Sequence, residues 1–149
     1  MTRRAAREIA VQLCFASLFT DAEPENAVTD LLDPEYFSSL SAENEFFDQE
    51  PDEQQRAYIL QLVSLVREHR EELDDAIRKY SRGWRLERIS RIAASVLRCA
   101  MAEILYMDDI PSAVTINEAV ELAKGYEEPE TVAFINGILG SFVRGDEAE

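Results

Sequence analysis

Cysteine and histidine are scarce in this chain of 149 residues, with two of the first and one of the second. Two cysteines cannot build the disulfide framework of a small secreted domain. Cys14 and Cys99 both fall within apolar helical segments, so both are expected as buried free thiols. The single histidine, His69, cannot supply a familiar zinc-ligand spacing. Nor can it supply the paired Glu-x-x-His motifs of a di-metal helical bundle, so no metal site is expected. Glycine and proline number only five each, and most prolines sit in connections, which argues against a turn-rich β fold. No apolar run approaches the ~20 residues of a membrane-spanning helix. The amino terminus is basic and then apolar, but Glu8, Gln12 and Ser17 interrupt the run and no small-residue cleavage site follows. It reads as the first helix of a mature cytoplasmic protein.

Enzymatic signatures are missing too. There is no glycine-rich phosphate loop and no paired nucleophile and base. Glu103, Glu118 and Glu121 are the carboxylates that invite a catalytic reading. Glu118 is explained as half of a capping box with Thr115, and Glu121 as part of a solvated face. The expectation is a protein that is not an enzyme, with no catalytic residue and no cofactor.

What the chain does have is apolar bulk and an uneven charge. Hydrophobic residues make up 46%, enough for a core in a chain of this length. The net charge is −15, but it is segregated. Residues 1–20 hold three arginines and one acid; residues 21–55 hold twelve acids and no base; residues 56–98 hold ten bases and six acids; residues 99–149 hold two bases and eleven acids. Screening limits exposed charges to ~8 Å at physiological salt. A local basic patch can therefore act within an acidic whole.

Periodicity predicts an all-α fold, a single-domain bundle of about six or seven helices. Thr2 to Phe19 is apolar nearly all round beyond Ile9, the pattern of a central helix. The acidic stretch of about 21–51 reads as a loop-rich, solvated insertion, with short helices possible from Pro24 to near Leu32 and from Pro34 to Leu40, and a loop through Asn44 and Pro51. Asp52 to Tyr80 carries one stripe, Tyr58, Leu62, Leu65, Val66, His69, Leu73, Ile77 and Tyr80. Its length predicts a break near Arg67–Arg70, with His69 as a packing residue. Gly83 and Trp84 would turn the chain into a helix over Ser90–Met107. The Thr115–Glu118 box would start a helix to about Tyr126, and Pro129 another to about Arg144. Gly137 falls inside that last helix, which suggests close approach of a neighbouring backbone.

Three segments together resemble the NusB family of transcription antitermination factors. The first is Arg3-Arg4-Ala5-Ala6-Arg7-Glu8 with Gln12-Leu13-Cys14-Phe15. The second is Val96-Leu97-Arg98 with Glu103-Ile104-Leu105. The third is Ile116-Asn117-Glu118-Ala119-Val120-Glu121-Leu122-Ala123-Lys124 with Phe134-Ile135-Asn136-Gly137-Ile138-Leu139. The resemblance covers most of residues 2–140 and fails across the acidic stretch. It implies two packed helical subdomains and a bacterial adaptor that binds single-stranded boxA RNA of ribosomal leader transcripts. It also implies a partner, the ribosomal protein NusE, and a place in the RNA polymerase antitermination complex.

Arginine suits such a strand, because its planar fork bonds phosphate and stacks on bases. The RNA-binding residues expected are Arg3, Arg4 and Arg7 at the opening of the first helix, with Gln12 and Phe15 further along it, and Arg88 and Arg91 before and at the Ser90 helix. Phe15 stands where relatives usually carry tyrosine. The resemblance places the NusE surface at Ile92, Ala93, Glu130 and Phe134. Ala93 and Ala94 replace an acidic and a basic residue common in relatives, and Ala133 replaces a lysine, each taking a polar group away from the surface. The alternative is an adaptor of the same fold that has weakened or lost RNA binding. The segregated charge also suggests that the acidic stretch lies over the arginines as an RNA mimic.

Overall fold

The computed structural model describes residues 1–40, 49–81 and 89–145. These form eight α-helices and one 3-10 turn, with no strand among the described residues. They divide into two compact units, residues 1–64 and 65–149, with helix α4 running through the boundary.

In the first unit, α1 spans Arg3–Ala16. The Thr2 hydroxyl caps it by accepting from the Ala5 amide at 3.0 Å, which satisfies one of the helix's orphan donors. The apolar run seen in the sequence is buried: Ala5, Ala6, Ile9, Ala10, Val11, Leu13 and Cys14 are all core. A 3-10 turn, Ser17–Phe19, tightens its end. Helices α2 (Pro24–Leu31) and α3 (Pro34–Leu40) each begin on a proline, whose fixed φ suits a first helical turn.

These two helices stand where the prolines of the acidic stretch were expected to start them, but they carry core residues that the sequence reading did not foresee. Val28 and Phe37 are 1% exposed and Leu32 is buried. The carboxylates face water while the few apolar residues, spaced four and five apart, anchor the segment to the core. Asn44 and the loop around it lie outside the described residues.

Helix α4 (Glu53–Glu68) opens on a reciprocal cap. The Gln55 amide donates to Asp52 Oδ1 at 2.8 Å, and the Asp52 amide donates to Gln55 Oε1 at 3.0 Å. The expected break follows at His69, and α5 runs Arg70–Tyr80. Leu62, Val66, Leu73, Ile77 and Tyr80 of the predicted stripe are buried.

In the second unit, α6 (Arg91–Tyr106) is buried on every face from Ala93 to Glu103. It packs against α5, α7 (Ser112–Ala123) and α8 (Pro129–Arg144). Ser90 caps α6, its hydroxyl accepting from the Ala93 amide at 3.1 Å. Gly83 and Trp84 lie outside the described residues.

Two expectations fail here. The Thr115–Glu118 capping box does not form, because α7 starts after Pro111 at Ser112, three residues before Thr115. Thr115 is instead inside the helix and buried, donating its hydroxyl to Glu103 Oε1 at 3.1 Å. A fully buried carboxylate needs that donor more than the helix needs a second cap. Gly137 does not mark close packing either: a Cβ added there would meet nothing within 4 Å.

Candidate nucleic-acid interface

Arg3 and Arg4 are exposed in the first turn of α1, which contains no acidic residue. The one carboxylate among residues 1–20, Glu8, is 4% exposed, and the Gln12 side-chain amide donates to it at 3.3 Å. The exposed charges of this helix are therefore all positive. Its amino-terminal end adds a partial positive charge of its own.

Arg7 departs from expectation. The helical repeat predicts an open face shared with Arg3, but Arg7 is 7% exposed and its guanidinium lies 5.8 Å from the Tyr58 ring centroid. Residue 7 is turned toward α4, and its long apolar stem and planar head fit the flank of an aromatic ring. Arg7 thus packs α1 against α4 instead of reaching into solvent.

Gln12 and Phe15 are half-buried further along α1. Phe15 makes an edge-to-face contact with Phe19, with centroids 5.4 Å apart and planes at 68°. Such pairs favour fixed ring orientations. Phe19 is 61% exposed, a residue that sequence reasoning did not single out. The available signal was its position four residues after Phe15 at the end of an otherwise apolar run.

In the second unit, Arg91 is the first residue of α6 and is exposed. Arg88 and its neighbour Arg85 lie outside the described residues. The Ser90 hydroxyl donates to Glu127, which ties the start of α6 to the α7–α8 connection. Ile92 and Phe134 are half-buried, and Glu130 is exposed in the first turn of α8. Ala93 is 0% exposed, which corrects its assignment to a partner surface. Enclosed near the start of α6, its side chain offers no surface to a partner. Beside these residues α7 and α8 form an open groove of about 640 Å³, lined by Val120, Lys124, Glu127, Pro129, Val132, Ala133 and Asn136.

The remaining polar clusters of this unit are structural. Arg98 is paired with Asp74 at 2.6 Å, both largely buried, and Arg70 approaches the same carboxylate at 3.6 Å. His69 stacks on Tyr106 with centroids 4.2 Å apart, which fits its reading as a packing residue. The Tyr106 phenol donates to the Glu72 carboxylate at 2.8 and 2.9 Å and lies 3.2 Å from His69 Nδ1. That hydrogen bond to Glu72 raises the phenol's pKa above its ordinary value. Loss of hydration and the charges of Glu72 and Glu68 act in the same direction. Cys14 and Cys99 are buried free thiols. Among the described residues no three metal-ligating side chains converge, and no helix is long and apolar enough to cross a membrane.

Comparison with known proteins gives one consistent answer. The NusB family model matches residues 4–144. The transcription antitermination protein NusB of Acetivibrio thermocellus is 41% identical over 144 residues, covering 97% of this chain and 90% of the relative. The structure of T. maritima NusB superposes with a TM-score of 0.78 at 30% identity, covering 97% of this chain and 92% of that one. A crystal structure of the antitermination factors NusB and NusE in complex with double-stranded RNA contains a chain that superposes with a TM-score of 0.72. At 21% identity, covering 96% of both chains, it shows the same fold. From the arginine-rich opening of α1 to the end of α8, this chain belongs to the NusB family.

Proposed function

We propose that this chain is a transcription antitermination factor. It is a non-catalytic adaptor that binds boxA-type single-stranded RNA of ribosomal leader transcripts together with ribosomal protein NusE. Its place is the RNA polymerase antitermination complex of the bacterial cytoplasm, and its 149 residues act as one RNA-binding domain. Family membership supports the reading, as does the solution of a protein of this fold with NusE and RNA. The observation that carries it is the pair of exposed guanidinium groups, Arg3 and Arg4, on a helix whose one carboxylate is buried.

Arg3 and Arg4 contact phosphates, where the helix terminus adds its dipole. Arg7 orients α1 from below through Tyr58. Gln12 and Phe15 meet the bases; in the second unit, Arg88 and Arg91 are RNA-binding residues. NusE is bound by Ile92, Glu130 and Phe134, with the α7–α8 groove alongside. The test is binding of a boxA-like RNA, single- and double-stranded, across a salt series. Replacing Arg3 and Arg4 by alanine should lower the slope of log affinity against log salt by about 0.7 for each phosphate no longer neutralised. An unchanged slope would remove α1 from the interface.

The net charge of −15 favours a second reading, an adaptor of the same fold that holds NusE without RNA. Co-purification with NusE, with no RNA retained at any salt, would decide for it.

A further inference from the structure

We infer that Phe19 is a base-stacking residue that extends the RNA-binding face of α1 beyond Phe15. The inference rests on the antitermination reading above and adds a base contact that reading does not contain.

At 100° per residue, Arg4, Gln12 and Phe15 fall within an arc of about 80° on the helical wheel of α1, and Phe19, in the 3-10 turn that follows, stands against Phe15. The face carries a cation at one end and two rings at the other. Glu8 lies on the same arc and is buried, so no carboxylate of this helix opposes an anionic strand. Proteins that hold single strands combine these two elements, cations for the backbone and aromatic faces for the bases.

Phe19 suits the second task better than its neighbours. It is 61% exposed, more than any other large hydrophobic side chain among the described residues. An exposed phenyl ring offers a stacking face and no polar group, so it serves any base. Its edge-to-face contact with half-buried Phe15 orients the ring before a ligand arrives. The 3-10 turn Ser17–Phe19 adds a backbone constraint, with the Ser17 amide donating to the Leu13 and Phe15 carbonyls. A ring already held in place loses less conformational freedom on binding. The same exposed ring could serve a protein partner. Its contact with Phe15, which shares an arc with Arg4 and Gln12 on a helix with only positive exposed charges in a chain of net charge −15, favours the polynucleotide.

The experiment measures binding of a short uridine- and adenine-rich single-stranded RNA across a salt series. It compares the full chain with F19A, F19L, F19W and the double variant R3A/R4A. Thermal unfolding of each variant confirms the fold, which an exposed ring contributes to little. F19A should bind roughly tenfold more weakly with an unchanged salt slope, since stacking releases no counterions. F19L should resemble F19A, and F19W should bind at least as well as the parent. R3A/R4A should flatten the slope. Parent-like affinity of F19A, or rescue by leucine, overturns the inference while leaving RNA binding intact. So does an F19A defect confined to co-purification with NusE. No RNA binding by the parent chain defeats the antitermination reading itself, and this inference with it.

Discussion

Arg98 and Asp74 show how much one residue carries in this fold. Their side chains are 7% and 13% exposed and 2.6 Å apart, so each charge is compensated mainly by the other. Arg98→Ala would leave Asp74, among the described residues, with Arg70 at 3.6 Å. We expect a loss of about 3 kcal/mol in denaturant unfolding; a loss under ~1 kcal/mol would mean that water or Arg70 compensates Asp74. Tyr106 yields a pH prediction. Its pKa is raised in the fold, so the folded state favours the protonated phenol. That contribution is present below the ordinary value of about 10 and is lost as pH rises through the folded value. Between pH 9 and 11 the parent should lose more stability to urea than Tyr106→Phe does. Equal losses would show that the Glu72 hydrogen bond does not persist in solution. Of the residues proposed from sequence, Arg3 and Arg4 are exposed as the wheel requires. The burial of Arg7 was not legible, because it depends on Tyr58, which lies 51 positions away in the chain.

The helices divide into those set by local signals and those set by their neighbours. Proline starts α2, α3 and α8, and Ser90 starts α6, all within a residue or two of where the sequence placed them. Thr115 looked like an equally good start, yet it serves Glu103 across the core. A pattern such as Thr-x-x-Glu states only that a cap is possible, and burial decides whether the side chain is free to make it. Two glycines of the last helix region are predicted to respond in opposite ways. Gly137→Ala should stabilise by up to ~1 kcal/mol, since the added methyl meets open space within a helix. Gly145→Ala should destabilise by about 1 kcal/mol, because φ there is +78°, a left-handed conformation that costs an L side chain. Thermal unfolding of the two variants checks both signs.

Across the entire chain, charge sets two opposing salt effects. With a net charge of −15, self-repulsion burdens the folded state. Raising salt from about 20 to about 300 mM should raise the melting temperature while it weakens RNA binding. A melting temperature that falls with salt would mean that attractive pairs dominate. Deleting the acidic stretch would not test the RNA-mimic idea cleanly, since it would take Val28, Leu32 and Phe37 out of the core. Neutralising the exposed Glu23, Glu25, Asp30, Asp33 and Glu35 leaves those anchors in place. Neutralisation should raise RNA affinity at low salt, with the gain shrinking as salt screens the repulsion that was removed.

Helix content, the break at His69, the buried thiols and family membership were all readable from the order of residues. Each is carried by short-range periodicity or by a contiguous motif, which needs no knowledge of what lies opposite. The fate of single polar and small residues was not readable. Arg7 lies over Tyr58, Thr115 serves Glu103, Ala93 is enclosed, Gly137 is open, and Phe19 stands in water. Every one of these depends on which side chains the fold brings alongside, and a helical repeat says which face a residue occupies without saying what that face meets.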